Sequence, residues 1–434
     1  MPACRHALFA ETGHESVFTI DASAIVFGRG AIAELGQHAR ALGVTRAGVF
    51  TDRGVAALPF FEAGVRALRA EGIDLAVFDE VHVEPTCRSF EEAARFARDG
   101  AFDGYVSIGG GSAIDTCKAA ALYATHPAAL LDYVNAPIGR GLPVPGPLPP
   151  HVACPTTSGT GAECTGIAVF DLLAAKAKTG IASRRLRPAL AVVDPDATRT
   201  LPRGVVAASG FDVLCHAVES YTARPFGARP RSAAVGARPM SQGRNPWSDV
   251  GSLEALRLAG RSLTRGISDA SDDEARGELA WAATLAGVAF GNAGVHLPHG
   301  MSYAVAGLAR GYHAPGYPGP MIPHGTSVVL SAPSVARFTA DACPERHLTA
   351  AEALGADVRG AALDEAGERL AARLEELMRA ADVPDGLRGV GYVDADLDAL
   401  VERALLQRRL LDNAPKAVDE GRMRALFQGA MGRA

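Results

Sequence analysis

Short apolar runs alternate with helical segments through roughly the first 200 residues of this chain, and this alternation restricts the folds open to it. A strand, a helix and a further strand in repeated succession favour a parallel sheet covered by helices, because parallel strands need a crossover between them. The sequence predicts strands over 24–27, 47–50, 75–78, 104–108, 151–154 and 189–193, with helices over 31–42, 56–71 and 90–98.

The pattern changes after Leu201-Pro202, where helical spacing takes over and few strand signals remain. A chain of 434 residues is long enough to form two cores. We therefore expect an α/β domain with a Rossmann-like parallel sheet over 1–200 and an all-α domain over 201–434. Two stretches rich in Gly and Pro, 224–245 and 312–323, are expected to be long loops.

The composition argues against several kinds of partner. With 48% hydrophobic and 21% charged residues the chain is typical of globular proteins, and its net charge of −5 comes without the basic face that nucleic-acid binding needs. No apolar run approaches the ~20 residues of a membrane span. We expect neither a nucleic acid nor a membrane as partner. The start of the chain lacks the apolar core of a signal peptide, so we expect a cytoplasmic location.

Asp212 and His216 lie four residues apart in a segment of helical character. Positions four apart share a helix face, so a carboxylate and an imidazole point the same way. His299 and His324, each followed by a glycine, could supply two further imidazoles. Three His and one Asp suit a divalent first-row metal such as Fe²⁺ or Zn²⁺. The same spacing also arises by chance around histidines that are only hydrogen-bonded.

A glycine-rich loop follows the predicted strand 104–108 and opens a helix that carries Asp115. Glycines let the backbone approach a phosphate closely, and the N–H groups at a helix N-terminus bind anions. The loop lacks the spacing of the usual dinucleotide fingerprint, so a tight strand-to-helix turn is the alternative. The loop residues are Gly109, Gly110, Gly111 and Ser112.

A second loop, 155–163, follows the predicted strand 151–154 and offers hydroxyl groups to a phosphate or a nicotinamide amide; the alternative is a capped helix start. Asp52 ends an earlier strand, where an acid can accept from a ribose hydroxyl and repel a 2′-phosphate, which favours NAD over NADP. A turn or N-cap aspartate is the alternative for Asp52. The hydroxyl residues singled out in the second loop are Thr156, Thr157, Ser158 and Thr160.

Together these segments resemble the iron-containing (group III) alcohol dehydrogenase family, whose motifs occur in the same order over roughly 20–345. The resemblance implies an α/β nucleotide-binding domain, a helical domain, and NAD and metal in the cleft between them. It implies that Asp212, His216, His299 and His324 hold the metal, with Fe²⁺ the first choice and Zn²⁺ the alternative. It also implies that both loops, Asp115 and Asp52 bind the cofactor. Lys178 falls where family members have a cofactor-contacting lysine.

Further segments, including 102–106, 131–139 and 291–303, resemble the transhydrogenase branch of that family. This implies a hydride transfer from 4-hydroxybutyrate to bound NAD and then to 2-oxoglutarate, giving succinate semialdehyde and 2-hydroxyglutarate. The expected partners are small hydroxyacid and oxoacid substrates and further copies of the chain in a homo-oligomer. Tyr303 stands where many members have a histidine assigned to proton relay, and we expect it among the catalytic residues. His296 is a possible substitute.

Three other functions stay open at this point. The first is an NAD-dependent dehydrogenase that releases NADH, since retention of the cofactor depends on an off-rate that sequence does not show. The second is a lyase or synthase of the dehydroquinate synthase kind, which uses a different ligand arrangement. The third is a non-catalytic protein with a vestigial site. Carboxylate substrates need a cation, for which Arg184 and Arg238 are candidates.

Overall fold

The computed structural model describes residues 13–175, 177–234, 236, 238–308, 311–317 and 319–432. The chain forms two compact units, one spanning Ala22–Thr200 and the other spanning the residues from Leu201 onward together with 13–21. The sequence assigned residues 13–21 to the first domain, but they pack with the second unit. Two hydrogen bonds hold this segment, because the Thr19 backbone donates to Gln242 Oε1 at 2.8 Å and Gln242 Nε2 donates back to the Thr19 carbonyl at 2.9 Å.

A six-stranded sheet forms the centre of the first unit, in the order β1-β8-β5-β4-β2-β3 with all neighbours parallel. The predicted parallel sheet is confirmed, and each predicted strand lies within one or two residues of an observed one. The eight strands of this unit are β1 (Ala24–Phe27), β2 (Arg46–Phe50), β3 (Asp74–Phe78), β4 (Gly104–Gly109), β5 (His151–Pro155), β6 (Ile167–Leu172), β7 (Ala177–Ala182) and β8 (Leu190–Val193).

Helices cover both faces of this sheet. Val49 and Val106 pack against one pair of helices, and their neighbours Phe50 and Tyr105 face the other pair, as the two-residue period of a strand requires. Strands β4 and β5 are buried at every position because both of their faces are covered. The helices of this unit are α1 (Leu35–Ala41), α2 (Arg53–Ala56), α3 (Pro59–Ala70), α4 (Cys87–Gly100), α5 (Gly111–Thr125) and α6 (Leu130–Tyr133).

Strands β6 and β7 form an antiparallel hairpin that the sequence did not predict. The residues that follow β6, Leu173 to Ala175, make a short 3-10 turn and include no Gly, Pro or Asn. Hairpin signals in a sequence depend mainly on those turn residues. Without them, the alternation in β6 and β7 was too short to be recognised.

The strand order reverses direction at β2. The chain passes from β2 outward to β3 and then returns to place β4 on the opposite side of β2. In open parallel sheets, ligands bind outside the carboxyl ends of the strands at such a reversal. Asp52 follows β2 and Gly109 ends β4, so both lie at this position of the sheet.

The second unit is helical, and none of its described residues belongs to a strand of a sheet. Helix α7 crosses its core and is buried at every position from Gly210 to Thr222. A charged group in such a helix needs a partner, since an unpaired buried charge is strongly disfavoured. The helices are α7 (Arg203–Thr222), α8 (Pro246–Ser268), α9 (Asp273–Ala293), α10 (Leu297–Gly307), α11 (His324–Val329), α12 (Ala332–Thr339), α13 (Pro344–Ala353), α14 (Ala366–Ala380), α15 (Leu397–Leu405), α16 (Arg408–Leu411) and α17 (Glu420–Ala430).

Substitution of two helical glycines tests the packing of this unit. A Cβ on Gly260 of α8 would lie 2.8 Å from backbone atoms of Leu354, so Gly260→Ala should lower the free energy of unfolding by about 1–3 kcal/mol. Gly277 of α9 has open space around the same position, so Gly277→Ala should be neutral or stabilising by up to about 1 kcal/mol. Urea denaturation measures both, and equal effects would contradict the close contact of α8 with Leu354.

Candidate metal centre and cofactor loops

Three polar side chains lie on one face of the buried helix α7. Asp212, His216 and Glu219 occupy positions i, i+4 and i+7, which place them on adjacent turns of the same face. All three are buried, with 2%, 4% and 0% of their surface exposed. Apolar residues surround them on the rest of the helix, so this polar stripe must find its partners on neighbouring helices.

Two short helices bring further histidines to this face. His299 lies in the first turn of α10, and His324 is the first residue of α11. The glycine after His324 permits its position, because a Cβ on Gly325 would lie 1.9 Å from the backbone oxygen of Ala208 in α7. Helix α11 therefore approaches α7 more closely than any residue with a side chain would allow.

The structure brings all four predicted ligands together around one oxygen. Asp212 Oδ1 lies 3.5 Å from His299 Nε2, 3.7 Å from His216 Nε2 and 3.8 Å from His324 Nε2. Donor atoms of Asp212, His299 and His324 also lie within 4.8 Å of one another, a separation that suits a shared metal ion. The carboxylate and the imidazoles thus form a compact set of oxygen and nitrogen donors.

Three buried polar atoms in this cluster have no hydrogen-bond partner, namely Asp212 Oδ1, His216 Nδ1 and His299 Nε2. Two of them, Asp212 Oδ1 and His299 Nε2, face each other across 3.5 Å. Buried polar atoms are nearly always satisfied, so an unsatisfied facing pair indicates that a third group belongs there. A divalent cation would satisfy both atoms at once, and imidazole with carboxylate is a donor set that iron and zinc accept. The residues present therefore fit a metal.

The charge of the cluster also suits a cation. Burial opposes ionisation of Asp212, but His216 and His324 hold the pKa of its carboxyl well below the ordinary value. Burial lowers the pKa of His216 to about 4, which leaves that imidazole neutral as metal ligation requires. Burial also acts on His299, where Glu219 and Asp212 outweigh it and raise the pKa to about 9. Positive charge is favoured at His299, and a metal at Nε2 would supply it in place of a proton.

Glu219 orients His299 and was not assigned a role from the sequence. His299 Nδ1 donates to Glu219 Oε1 at 2.6 Å, which directs Nε2 at Asp212. Glu219 Oε2 accepts from the backbone of His296 at 2.6 Å and of His299 at 3.4 Å. A carboxylate behind a ligating histidine fixes its tautomer and ring orientation. The signal in the sequence is the spacing, since Glu219 follows His216 by three residues.

The ring of His216 is held by stacking. It lies 4.0 Å from the Phe290 ring at an interplanar angle of 5° and 4.6 Å from the His299 ring at 23°. Stacked rings resist rotation about the side-chain bonds, so the direction of His216 Nε2 is set before any metal arrives.

The two candidates for proton relay occupy different positions. Tyr303 lies one turn beyond His299 on α10, with its ring centroid 6.4 Å from that of His324, so its assignment as a catalytic residue stays a prediction. His296 is bonded at both ring nitrogens, because Nδ1 accepts from the Leu297 backbone at 2.7 Å and Nε2 lies 3.0 Å from Thr222 Oγ1. These bonds give His296 a structural role at the start of α10.

The glycine loop joins β4 directly to α5 at the reversal of the sheet. Strand β4 ends at Gly109 and α5 begins at Gly111, so an anion could accept from the N–H groups of Gly111 and Ser112, whereas Ala113 already donates to the Gly110 carbonyl at 3.0 Å. The second oxygen of Asp52 lies beside this loop, 4.0 Å from the position of a Cβ on Gly109. The other oxygen of Asp52 accepts from the Val55 backbone at 3.0 Å and caps α2. The N-cap that was the alternative for Asp52 is present, and the ribose contact stays a prediction.

The two predicted cofactor loops touch each other. A Cβ on Gly111 would lie 2.6 Å from Thr160 Cγ2, and one on Gly110 would lie 3.3 Å from Thr157 Cγ2. The Thr156 backbone donates to the Gly109 carbonyl at 3.0 Å, and Ser158 is buried in the same loop. Backbone amides and hydroxyls from neighbouring strand ends therefore line one surface, as a diphosphate requires.

The remaining predicted cofactor residues have partners inside the protein. Lys178 Nζ lies 2.6 Å from Glu84 Oε2 and 3.0 Å from Asp171 Oδ1. Asp115 Oδ1 accepts a hydrogen bond from Lys118 Nζ at 3.2 Å, and Asp115 Oδ2 accepts one from the Val169 backbone at 2.9 Å. Ser112 Oγ accepts from the Glu84 backbone at 3.1 Å. The bond from Val169 joins β6 to α5, and Lys178 of β7 is held by Glu84 and by Asp171 of β6, so Asp115 and Lys178 both have structural roles that the sequence did not indicate. Their contact with the cofactor stays a prediction.

Family models match both parts of the chain. Residues 22–195 match the model described as "Iron-containing alcohol dehydrogenase", and residues 239–431 match "Fe-containing alcohol dehydrogenase family, C-terminal". The chain is 48% identical over 418 residues to the mitochondrial hydroxyacid-oxoacid transhydrogenase of Bos taurus and 47% identical to that of Homo sapiens. Each alignment covers 95% of this chain and 90% of the relative. The chain belongs to the iron-containing alcohol dehydrogenase family.

Membership in this family makes the protein an oxidoreductase that acts on CH–OH groups, and it confirms the resemblance inferred from the sequence. The fold agrees, since a crystal structure of 1,3-propanediol oxidoreductase superposes with a TM-score of 0.84 at 29% identity, covering 95% of this chain and all of that one.

The expected cytoplasmic location was wrong. The relatives at 47–48% identity carry the word mitochondrial in their names, which contradicts it. The expectation rested only on the lack of a recognisable leader, and the composition of a folded enzyme does not report its compartment. In the described residues, no helix combines the length and the hydropathy that a membrane crossing needs.

Replacing Glu219 tests the metal centre. Glu219→Gln keeps the side-chain volume but removes the charge behind His299, so affinity for Fe²⁺ or Zn²⁺ should fall about 10- to 100-fold. Competition with a chromophoric chelator measures it. Glu278→Gln is the control, because Glu278 pairs with Arg261 elsewhere in the helical unit and should leave metal affinity unchanged. Equal affinities in wild type and Glu219→Gln would contradict the orienting role.

Replacing Asp52 tests whether its carboxylate recognises the adenosine ribose of the cofactor. Asp52→Asn retains an N-cap acceptor for α2 but loses the charge that repels a 2′-phosphate, so the NAD-to-NADP affinity ratio should fall about tenfold. Titration of protein fluorescence with each cofactor gives the ratio. Asp272→Asn, the same change at the N-cap of α9, should leave the ratio as it is. If the NAD-to-NADP affinity ratio is unaltered in Asp52→Asn, the only role of Asp52 is to cap α2.

Proposed function

We propose that this protein is a hydroxyacid–oxoacid transhydrogenase, which passes a hydride from a hydroxyacid to an oxoacid through NAD that stays bound. The observation that carries the proposal is an identity of 47–48% to proteins of that name over 95% of the chain. The gathering of three imidazoles around Asp212 Oδ1 supports it, because it supplies the donor set that the family name implies.

We propose iron as the metal, held by Asp212, His216, His299 and His324, with zinc as the alternative. When bound, a divalent metal supplies Lewis acidity that lowers the pKa of a substrate hydroxyl. The protein contributes the fixed geometry. Glu219 holds the proton of His299 on Nδ1, and Phe290 holds the plane of His216, so the donors need little rearrangement.

The cofactor binds, in this proposal, at the reversal of the parallel sheet. The N-terminus of α5 and the hydroxyls of Thr157 and Thr160 hold the diphosphate, and Asp52 accepts from the adenosine ribose. When bound, NAD accepts a hydride at its nicotinamide ring and returns it. The Tyr303 O–H relays the hydroxyl proton, passing its own proton to solvent water as it takes up that of the first substrate, and the transfer reverses when the second substrate is reduced.

The proposed substrates are 4-hydroxybutyrate and 2-oxoglutarate. A C–H bond at C4 of the donor breaks and one at C2 of the acceptor forms, so one hydride and one proton move between them. The products are succinate semialdehyde and 2-hydroxyglutarate, and no net oxidant is needed. Because one substrate must leave before the other enters, ping-pong kinetics are expected. A homo-oligomer remains the expected state of assembly.

A deuterium transfer experiment tests the proposal. Purified metal-loaded protein is given 4-hydroxybutyrate deuterated at C4 together with 2-oxoglutarate, with no NAD added. We expect 2-hydroxyglutarate that carries the label at C2, as detected by mass spectrometry, and no label lost to water. His299→Ala, which removes a metal ligand, is the inactive control.

The opposite result identifies a dehydrogenase. If product appears only with excess free NAD, and NADH accumulates in solution, the transhydrogenase proposal fails. The protein would then be an NAD-dependent alcohol or hydroxyacid dehydrogenase of the same family.

A further inference from the structure

A hydroxyacid substrate carries a carboxylate that needs a cation near the metal centre. The sequence suggested Arg184 and Arg238. In the structure, Arg238 Nε lies 3.2 Å from Glu15 Oε2, so its guanidinium is already paired with a carboxylate of the protein. The buried Arg346 likewise pairs with Asp249 at 2.5 Å. Neither of these two helical-unit arginines is available to a substrate without giving up its partner.

Arg409 differs from these arginines in its surroundings. It lies in the short helix α16, is partly buried, and donates from Nη1 to the neutral hydroxyl of Ser241 at 3.2 Å. In the part of the chain that the structure describes, no carboxylate lies within ion-pair distance of Arg409. Even a partly buried guanidinium without an anion is disfavoured, because no partner compensates for the desolvation of its charge. Burial accordingly lowers the pKa of Arg409, against the opposing effect of nearby Tyr303.

The position of Arg409 relates it to the metal residues. Helix α16 packs on the first turn of α10, where a Cβ on Gly300 would lie 3.1 Å from Leu411 Cδ2. Gly300 directly follows His299. The Tyr303 ring, on the next turn of α10, lies with its centroid 6.4 Å from that of His324, and the phenol acts electrostatically on the Arg409 guanidinium. Asp212, His324, Tyr303 and Arg409 all belong to the helical unit.

We propose that Arg409 binds the carboxylate of the hydroxyacid and of the oxoacid, and so selects acids over uncharged alcohols. This inference rests on the proposed function, since it supplies the substrate contact that the function requires. Two N–H groups of a guanidinium match the two oxygens of a carboxylate, and Ser241 holds the side chain through Nη1. An acid at this position would complete the ion pair that Arg409 lacks.

Two substrates that differ in charge test the proposal. One is 4-hydroxybutyrate, and the other is 1,4-butanediol, in which a hydroxymethyl group replaces the carboxylate. Arg409→Met should lower kcat/KM for 4-hydroxybutyrate about 100-fold, mostly through KM, with a loss for 1,4-butanediol at least about tenfold smaller. Arg409→Lys, which keeps the charge but not the paired N–H groups, should recover part of the loss.

A neighbouring arginine supplies the control. Arg408→Met makes the same change on the same short helix at an exposed side chain that pairs with Asp412 at 3.5 Å, and it should leave the preference for the acid intact. Calorimetry of 4-hydroxybutyrate binding to metal-loaded protein should show about 100-fold weaker affinity in Arg409→Met only. This readout does not depend on turnover.

The outcomes separate this inference from the function it rests on. If wild type releases NADH but Arg409→Met still loses its preference for the acid, the transhydrogenase proposal fails and the role of Arg409 stands. If Arg409→Met loses both substrates equally, or binds 4-hydroxybutyrate as wild type does, the role of Arg409 is overturned. Failure of wild type to bind 4-hydroxybutyrate overturns both.

Discussion

The carboxylate of Asp212 in the middle of a buried helix is the constraint on which the helical unit depends. A charge with 2% of its residue exposed has to be compensated, and three imidazoles from α7, α10 and α11 surround its Oδ1 within 3.8 Å. Three atoms of this cluster nevertheless lack a hydrogen-bond partner. The charges in this tightly packed core are balanced only when a cation binds, so the stability of the helical unit and metal binding are coupled.

The support behind the ligands shows how the fold prepares that site. Glu219 uses both oxygens, one for the His299 ring and the other for backbone N–H groups at the start of α10. The same carboxylate therefore fixes a ligand and the helix that carries it. Gly325 allows α11 to reach α7, and without that approach His324 would lie too far from Asp212. Such precision comes from packing between helices and not from flexible loops.

The α/β unit follows a different principle. Its parallel sheet reverses strand order at β2, which leaves the ends of β2 and β4 adjacent and open to a ligand. Asp52 and the loops from Gly109 and Thr156 meet there because the sheet places their strands side by side. Asp115 and Lys178, also predicted as cofactor residues, have structural partners: Asp115 joins α5 to β6 through the Val169 backbone, and Lys178 of β7 pairs with Glu84 and with Asp171.

The sequence by itself determined the local parts of this protein. Strand spacing established the parallel sheet, and the spacing of Asp212 and His216 placed two donors on one face, since both depend on backbone periods of two and 3.6 residues. Only the tertiary structure decided which distant residues join them. His299 and His324 reach the site through the packing of α10 and α11, and no local period encodes that packing. The β6–β7 hairpin escaped prediction because its connection carries no turn signal, so only the folded structure shows that the two strands pair.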